Sequence, residues 1–213
     1  MDKRFEFTHK PVLLNECMEL LAVKPDGIYI DATLGLGGHS EAILERLETG
    51  RLLGIDRDPN ALGAASERLL RFGNRFSCVK ANFQDMADAA KTAGVSKADG
   101  ILFDLGVSSY QLDDPARGFS YTADAPLDMR MDPSSGPTAA DIVNGYDESG
   151  LERVLRDYGE ERFARRVASA IAGARSVKSI KTTRELADII VSAIPAGAAR
   201  REKHTRRRGA SRV

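Results

Sequence analysis

The sequence predicts an α/β fold in which a parallel sheet carries helices on both faces and a wholly helical stretch follows. Two observations carry this. Up to Asp104, four short apolar runs alternate with segments whose apolar residues recur at helical spacing, the pattern of strand–helix–strand crossovers. From Ala139 onward only the helical period remains. A third observation places a ligand corner: the turn after the first strand is rich in glycine.

Taken in order, Thr8-His9-Lys10-Pro11 leads into Val12, Leu13, Leu14, Cys17, Leu20 and Leu21, spaced as a helix that lies beside the corner. His9 reads as a surface or capping histidine in preference to a ligand contact. Lys24-Pro25-Asp26-Gly27 turns into the first strand, Gly27-Ile28-Tyr29-Ile30. Ala42, Ile43, Leu44 and Leu47 mark the next helix, and Arg51 to Ile55 the second strand, which Asp56 ends. Asp58-Pro59 sets a capping carboxylate before a proline at the first helical position. Phe76-Ser77-Cys78-Val79 is the third strand, a helix spans Met86 to Ala93, and Ala98 to Asp104 is the fourth strand.

The stretch Asp31-Ala-Thr-Leu-Gly35-Leu-Gly37-Gly38-His39-Ser40 joins a strand to a helix. Glycines permit positive φ and close approach of a ligand to bare backbone, and a helix start offers free N–H groups. The turn departs from the dinucleotide fingerprint, because His39 and Ser40 stand where a third glycine would allow close helix packing. That points away from NAD. Asp31 before the turn and Asp56 after the next strand suit another nucleoside cofactor, S-adenosylmethionine, whose ribose hydroxyls would donate to Asp56. Asn82-Phe83-Gln84-Asp85 follows the third strand, so Phe83 either stacks on adenine or closes the next helix as a buried aromatic. Asp104 ends a buried strand, where it either serves the ligand or caps backbone N–H groups.

The loop through Arg117-Gly118-Phe119-Ser120-Tyr121 to Pro126-Leu127-Asp128-Met129-Arg130-Met131-Asp132 is too long for a plain connector. Its arginines beside aromatics suit phosphate pairing and base stacking, or else a salt-bridged surface. Asp147 caps a helix through Leu151, Val154 and Leu155 that Gly159 ends; Phe163, Val167 and Ile171 mark another. Thr182 to Glu185 forms a capping box for a last helix stopped by Pro195. Arg162, Arg165 and Arg166 read as a solvated face, with RNA contact as the minority reading.

Composition is that of a globular chain: 213 residues, 42% apolar and 29% charged, with zero net charge. The last 14 residues, from Arg200, hold seven Lys or Arg and one Glu, so the remainder is slightly acidic. Cys17 and Cys78 have no metal-like spacing and read as reduced core thiols of a cytoplasmic protein. No signal peptide, membrane-length apolar run, metal-ligand cluster or nucleophile triad is legible.

Together, His9 to Leu14, Asp31 to Ser40, Ile55-Asp56-Arg57-Asp58-Pro59, Asp99 to Asp113, Arg117 to Ser120, Pro126 to Asp132 and Tyr158 to Glu161 resemble the bacterial 16S ribosomal RNA cytosine-N4 methyltransferases of the MraW type. The likeness runs from residue 8 to about residue 200. It implies a Rossmann-like S-adenosylmethionine-dependent methyltransferase core whose parallel-sheet part is incomplete, with a helical insert domain. Residues 1–114 would be the N-terminal part of the core, 115–200 a helical insert for substrate recognition, and 201–213 an aberrant basic tail. The resemblance implies S-adenosyl-L-methionine contacts at Gly37, Gly38, His39, Asp56, Phe83, Asp104 and Gln111. Asp104 is the candidate catalytic residue, and the substrate is N4 of a cytidine in 16S rRNA of the small ribosomal subunit. Two other functions fit the residues: a nicotinamide-dependent oxidoreductase, and a non-catalytic RNA-binding assembly protein.

The family continues into a His-Pro-Ala-Lys-Arg-x-Phe-Gln segment where this chain has Lys203-His204-Thr205-Arg206-Arg207-Arg208. One codon choice for His204–Val213, shifted by two bases, reads His-Pro-Ala-Lys-Arg-Gly-Phe-Gln-Gly. The tail is therefore expected to be a frameshift product. A chain lacking the last core strands is expected to expose apolar surface, to be poorly stable and to have little activity.

Overall fold

The computed structural model describes residues 11–195; the readings of His9 and of the 201–213 tail lie outside the described residues. The chain divides into two compact units, one up to Ser108 and the other from Ser109.

The first unit is the predicted α/β layer structure. Four parallel strands, β1 (Ile28–Asp31), β2 (Arg51–Asp56), β3 (Phe76–Lys80) and β4 (Gly100–Leu102), lie in the order β3-β2-β1-β4. Before and between them run α1 (Leu14–Leu21), α2 (Gly38–Leu44), α3 (Pro59–Leu69) and α4 (Met86–Thr92). Alternation along the strands decides which helices cover which face. Tyr29 and Leu52 turn toward Met18 of α1, Ile43 and Leu44 of α2 and Leu69 of α3. Ile30, Leu53 and Ile55 turn toward Ala89 and Ala90 of α4. Burying each such large apolar side chain stabilises the layer by about 1.5–3 kcal/mol. Both faces of β1 and β2 are therefore sealed, as strands with almost no polar side chains require. The chain winds outward from β1 through β2 to β3, then returns to place β4 on the other flank. Ligands in such sheets bind where this reversal parts the carboxyl ends of the strands, here between β1 and β4.

The fourth strand is shorter than the expected 98–104 span. At its start, the Asp99 N–H still donates to the Ile28 carbonyl at 2.7 Å, but the Ile28 N–H is met by the Asp99 carboxylate at 3.0 Å, which also pairs with Lys24 at 2.8 Å. At its end, the Asp104 N–H meets the Thr33 hydroxyl where a backbone carbonyl would have continued the ladder. The two cysteines are free and half-buried, Cys17 on α1 and Cys78 on β3, at the edge of the core.

The second unit is helical, as its period predicts: α5 (Ser109–Asp113), α6 (Ala139–Gly145), α7 (Glu148–Asp157), α8 (Ala164–Val177) and α9 (Thr183–Ala193). Val143, Leu151, Val167, Ile171 and Ile180 form its core. The caps fall where the sequence sets them. Asp147 accepts from the Gly150 N–H at 2.7 Å, and Thr182 with Glu185 forms the capping box of α9. The end of α7 differs in detail. Gly159 was the expected left-handed residue, but Glu160 takes that conformation, at φ 49°. No described helix is long and apolar enough to cross a membrane.

Candidate functional site

The carboxyl ends of all four strands bring Asp31, the glycine turn, Asp56, Phe83 and Asp104 to one edge of the first unit. Asp31 is almost wholly buried and holds the turn from beneath. Its carboxylate accepts from the Ser40 hydroxyl at 2.7 Å and from the Thr33 N–H at 3.2 Å. Burial pushes its pKa up to about 6, against the lowering effect of those two donors.

Asp56 ties the turn to β2. One carboxylate oxygen accepts from the Gly35 N–H at 2.8 Å, and the other accepts from the Asp58 N–H at 2.9 Å. Burial raises its pKa above the ordinary carboxylate value, with these N–H donors opposing the rise. An ionised carboxylate accepts about four hydrogen bonds, so Asp56 keeps capacity for hydroxyl donors.

The three glycines of the turn do different work. Gly37, at φ 79°, packs against α3: a Cβ there would lie 3.1 Å from Leu69 Cδ1. A Cβ on Gly38 would collide with the ring of Pro11. Gly35, at φ 51°, faces open space, since only the Thr33 carbonyl lies within 4 Å, at 3.9 Å. The bare backbone that a ligand can approach is thus at Gly35, while the Cβ sides of Gly37 and Gly38 are taken up by packing.

His39 is buried, with Nε2 3.0 Å from the Val12 carbonyl oxygen. A carbonyl only accepts, so Nε2 carries the hydrogen and Nδ1 is left facing Asp104 Oδ2 at 3.8 Å. That distance is too long for a hydrogen bond and leaves the Asp104 carboxylate available. The sequence set Asp104 at the end of a buried strand. The structure puts its side chain half in solvent instead, because β4 is an edge strand that stops two residues earlier. Its backbone N–H donates to the Thr33 hydroxyl at 2.7 Å. Its negative charge, after burial, is the second cause raising the pKa of Cys17.

Phe83 is 45% exposed and meets Phe103 edge to face at 6.0 Å, so it is not a buried plug for the following helix. Gln111 belongs to the second unit, where it is buried on α5.

The Arg-rich loop of the second unit turns inward. Arg117 is buried and donates to the Arg130 and Met131 carbonyls at 3.0 and 2.8 Å; its guanidinium lies 6.0 Å from the Phe119 ring. Arg130 pairs with Asp128 at 2.7 Å, which holds the Asp128 carboxyl below its ordinary pKa. These two arginines are committed to the loop: the salt-bridged alternative describes Arg130, while Arg117 instead gathers backbone carbonyls in the interior. Thr33 and Ser40 were missed as site residues. Their signal was a pair of hydroxyls in a turn otherwise built from small and apolar residues around one histidine.

The MraW methylase family matches residues 6–210. Ribosomal RNA small subunit methyltransferase H of Mycolicibacterium smegmatis is 53% identical over 208 residues, covering 94% of this chain and 56% of that protein. Its namesake in Carboxydothermus hydrogenoformans is 52% identical over 203 residues, covering 95% and 65%. The Symbiobacterium thermophilum protein of the same name is 53% identical over 203 residues, covering 95% and 64%. The chain spans between 56% and 65% of the length of these curated relatives. A match over nearly all of its residues, on the fold and turn described above, shows that the chain belongs to the MraW methylase family.

Proposed function

We propose that the chain carries the cofactor-binding part of an S-adenosylmethionine-dependent methyltransferase acting on N4 of a cytidine in 16S rRNA of the small ribosomal subunit. The observation that supports this best is the strand-end edge itself. Gly35 offers open backbone, Asp56 keeps free acceptor capacity, Phe83 presents a half-exposed ring, and Asp104 stands across the β1–β4 parting. These features suit an amino acid joined to a nucleoside: polar backbone for one end, a carboxylate for a ribose diol and an aromatic face for a base. Residues 115–200 would recognise the rRNA, in a protein acting in the cytoplasm. The curated relatives are named as ribosomal RNA small subunit methyltransferases, which supports an rRNA substrate.

When bound, the cofactor supplies an electrophilic methyl group on sulfonium. Asp56 holds the ribose hydroxyls as acceptor, and Phe83 covers one face of the adenine. Gly37, Gly38 and His39 fix the turn that lies along the amino-acid end. Cytosine N4 is a weak nucleophile because its lone pair is delocalised into the ring, so orientation supplies much of the acceleration. The Asp104 carboxylate accepts a hydrogen bond from the N4 amine, favours pyramidal nitrogen and takes the departing proton. Neither a nicotinamide oxidoreductase nor a non-catalytic assembly protein gains support from relatives all named as methyltransferases.

The test has two arms. Calorimetry should show binding of S-adenosylmethionine and none of NAD, lost in Asp56→Ala. Labelled methyl transfer to small ribosomal subunits, run with this chain and with a frame-restored version, should be weak in the first, appear on cytidine N4 in the second, and fall there about 10²-fold or more in Asp104→Ala with binding retained. NAD binding, or subunit binding indifferent to Asp104→Ala with no methyl transfer even by the frame-restored version, would sink the proposal.

A further inference from the structure

We propose that the turn end of the α7–α8 hairpin is an RNA-docking surface, with Arg162, Arg165 and Arg166 gripping phosphates and Tyr158 stacking an unpaired base. The inference rests on the rRNA reading above for its choice of polyanion, and on the following observations for its place.

Arg162, Arg165, Arg166 and Ser169 recur at helical spacing and are all exposed, while Ala164, Val167, Ala168 and Ile171 of the same segment are buried. The segment thus turns one face to the core and presents the arginines on the other. Among the described residues these three guanidiniums meet no carboxylate and no hydrogen-bond acceptor. Their neighbours do. Arg156 pairs with Glu152 and Asp157 at 3.0 and 3.1 Å, and Arg175 donates to the Val143 carbonyl at 2.6 Å. Glu161, beside Arg162 in sequence, accepts from the Phe163 N–H at 2.7 Å. Three arginines with no work in the fold leave their full charge and planar donor forks for a partner.

The same turn carries Tyr158, 84% exposed. A ring standing so far out of the surface adds little to stability, yet it is what single-stranded nucleic acid uses as a stacking platform. Phosphate-matching forks beside a free aromatic fit RNA whose bases are unpaired, as in a loop or an opened strand. A duplex would offer phosphates but no base face to Tyr158. The backbone holds the turn in one shape: Glu160 sits at φ 49°, and the Glu161 N–H donates to the Leu155 carbonyl at 3.0 Å.

The test measures binding of a fluorescein-labelled single-stranded oligoribonucleotide to the full chain by anisotropy over a salt series. The double variant R165E/R166E should bind at least tenfold more weakly at low salt. Its log–log salt slope should be shallower by about 1.4, from two lost phosphate contacts at about 0.7 each. Acidic residues in the first turn of a helix favour that helix, so these changes should not unfold α8, and circular dichroism checks this. Tyr158→Ala should weaken binding about tenfold and Tyr158→Phe should restore it. Lys97→Glu, an exposed reversal in the first unit, should leave affinity unchanged.

Absence of RNA binding by the parent chain would overturn the proposal. So would R165E/R166E binding within twofold of the parent, an equal loss in Lys97→Glu, or a stronger effect on anionic lipid vesicles than on RNA. RNA binding through this face with no methyl transfer even by the frame-restored version would keep the surface and remove the methyltransferase reading. Methyl transfer with unchanged RNA binding in R165E/R166E would do the reverse.

Discussion

The hydroxyl oxygen of Thr33 accepts the backbone N–H of Asp104 at 2.7 Å, which joins the turn after β1 to the strand end of β4 across the parting of the sheet. Asp31 holds Thr33 in turn, through the Thr33 N–H at 3.2 Å. The chain of contacts runs from a buried carboxylate through a turn hydroxyl to the backbone of the candidate catalytic residue. Replacing Thr33 by Val keeps the shape and removes the acceptor. The expected result is a loss of about 1 kcal/mol of stability and a fall of about tenfold in methyl transfer, with cofactor affinity little changed. Thr33→Ser should recover both. Equal activity in Thr33→Val and the parent would show that the bond does not position Asp104.

Asp31 makes stability depend on pH in a direction opposite to most carboxylates. Its folded pKa of about 6 lies above the ordinary 3.8 because burial disfavours the charge. Between those values the folded chain binds more protons than the unfolded one, so the contribution of Asp31 is full below about pH 4 and is lost as pH rises through 6. Asp31→Asn cannot titrate, yet it can still accept from the Thr33 N–H while its amide faces the Ser40 hydroxyl. Melting curves should show the parent losing stability relative to Asp31→Asn between pH 4 and 6, by about 1–3 kcal/mol. A constant difference across that range would mean that the buried carboxyl does not take up a proton there.

Gly35 and Gly37 both have positive φ, but they should respond differently to alanine. At Gly37 the new methyl meets Leu69 Cδ1 at 3.1 Å and Ala65 Cβ at 3.4 Å, so backbone strain and packing conflict add. The expected loss is about 2–4 kcal/mol. At Gly35 the methyl points into open space, and the loss should be nearer 1 kcal/mol. Gly35→Ala should nonetheless weaken S-adenosylmethionine binding well beyond its effect on the melting temperature. Similar losses of stability at the two sites would contradict this division of labour.

The layer order and most helix ends were legible because they follow from local chemistry. Alternation, the Asp58-Pro59 start, the Asp147 cap and the Thr182–Glu185 box each act within a few residues. Contacts between distant segments were not legible. Nothing local says that Pro11 will lie against Gly38, that His39 will point at Val12, or that Asp104 will hang from Thr33. The Arg117 loop misled for a similar reason. Arginine beside an aromatic is the composition of an RNA contact and equally of a buried fork gathering carbonyls, and only the path of the chain decides between them.

That buried fork supplies the last prediction. Arg117 donates from one terminal nitrogen to the carbonyls of both Arg130 and Met131, and its own carbonyl accepts the N–H of Met129, a residue held at φ 60°. The side chain therefore closes the loop that carries the strained Met129. Lysine keeps the charge, but its ammonium is more strongly hydrated than a guanidinium and costs more to bury beneath those two carbonyls. Arg117→Lys should cost about 2–4 kcal/mol. Hydrogen exchange should speed up in the 117–132 loop and its neighbours, while amides of β1 and β2 keep their protection, because the fork lies wholly within the second unit. Breaking the exposed Arg156–Glu152 pair, by contrast, should cost at most about 0.5 kcal/mol. Uniform loss of protection across both units in Arg117→Lys would show that the units unfold as one, and that the fork supports more than its own loop.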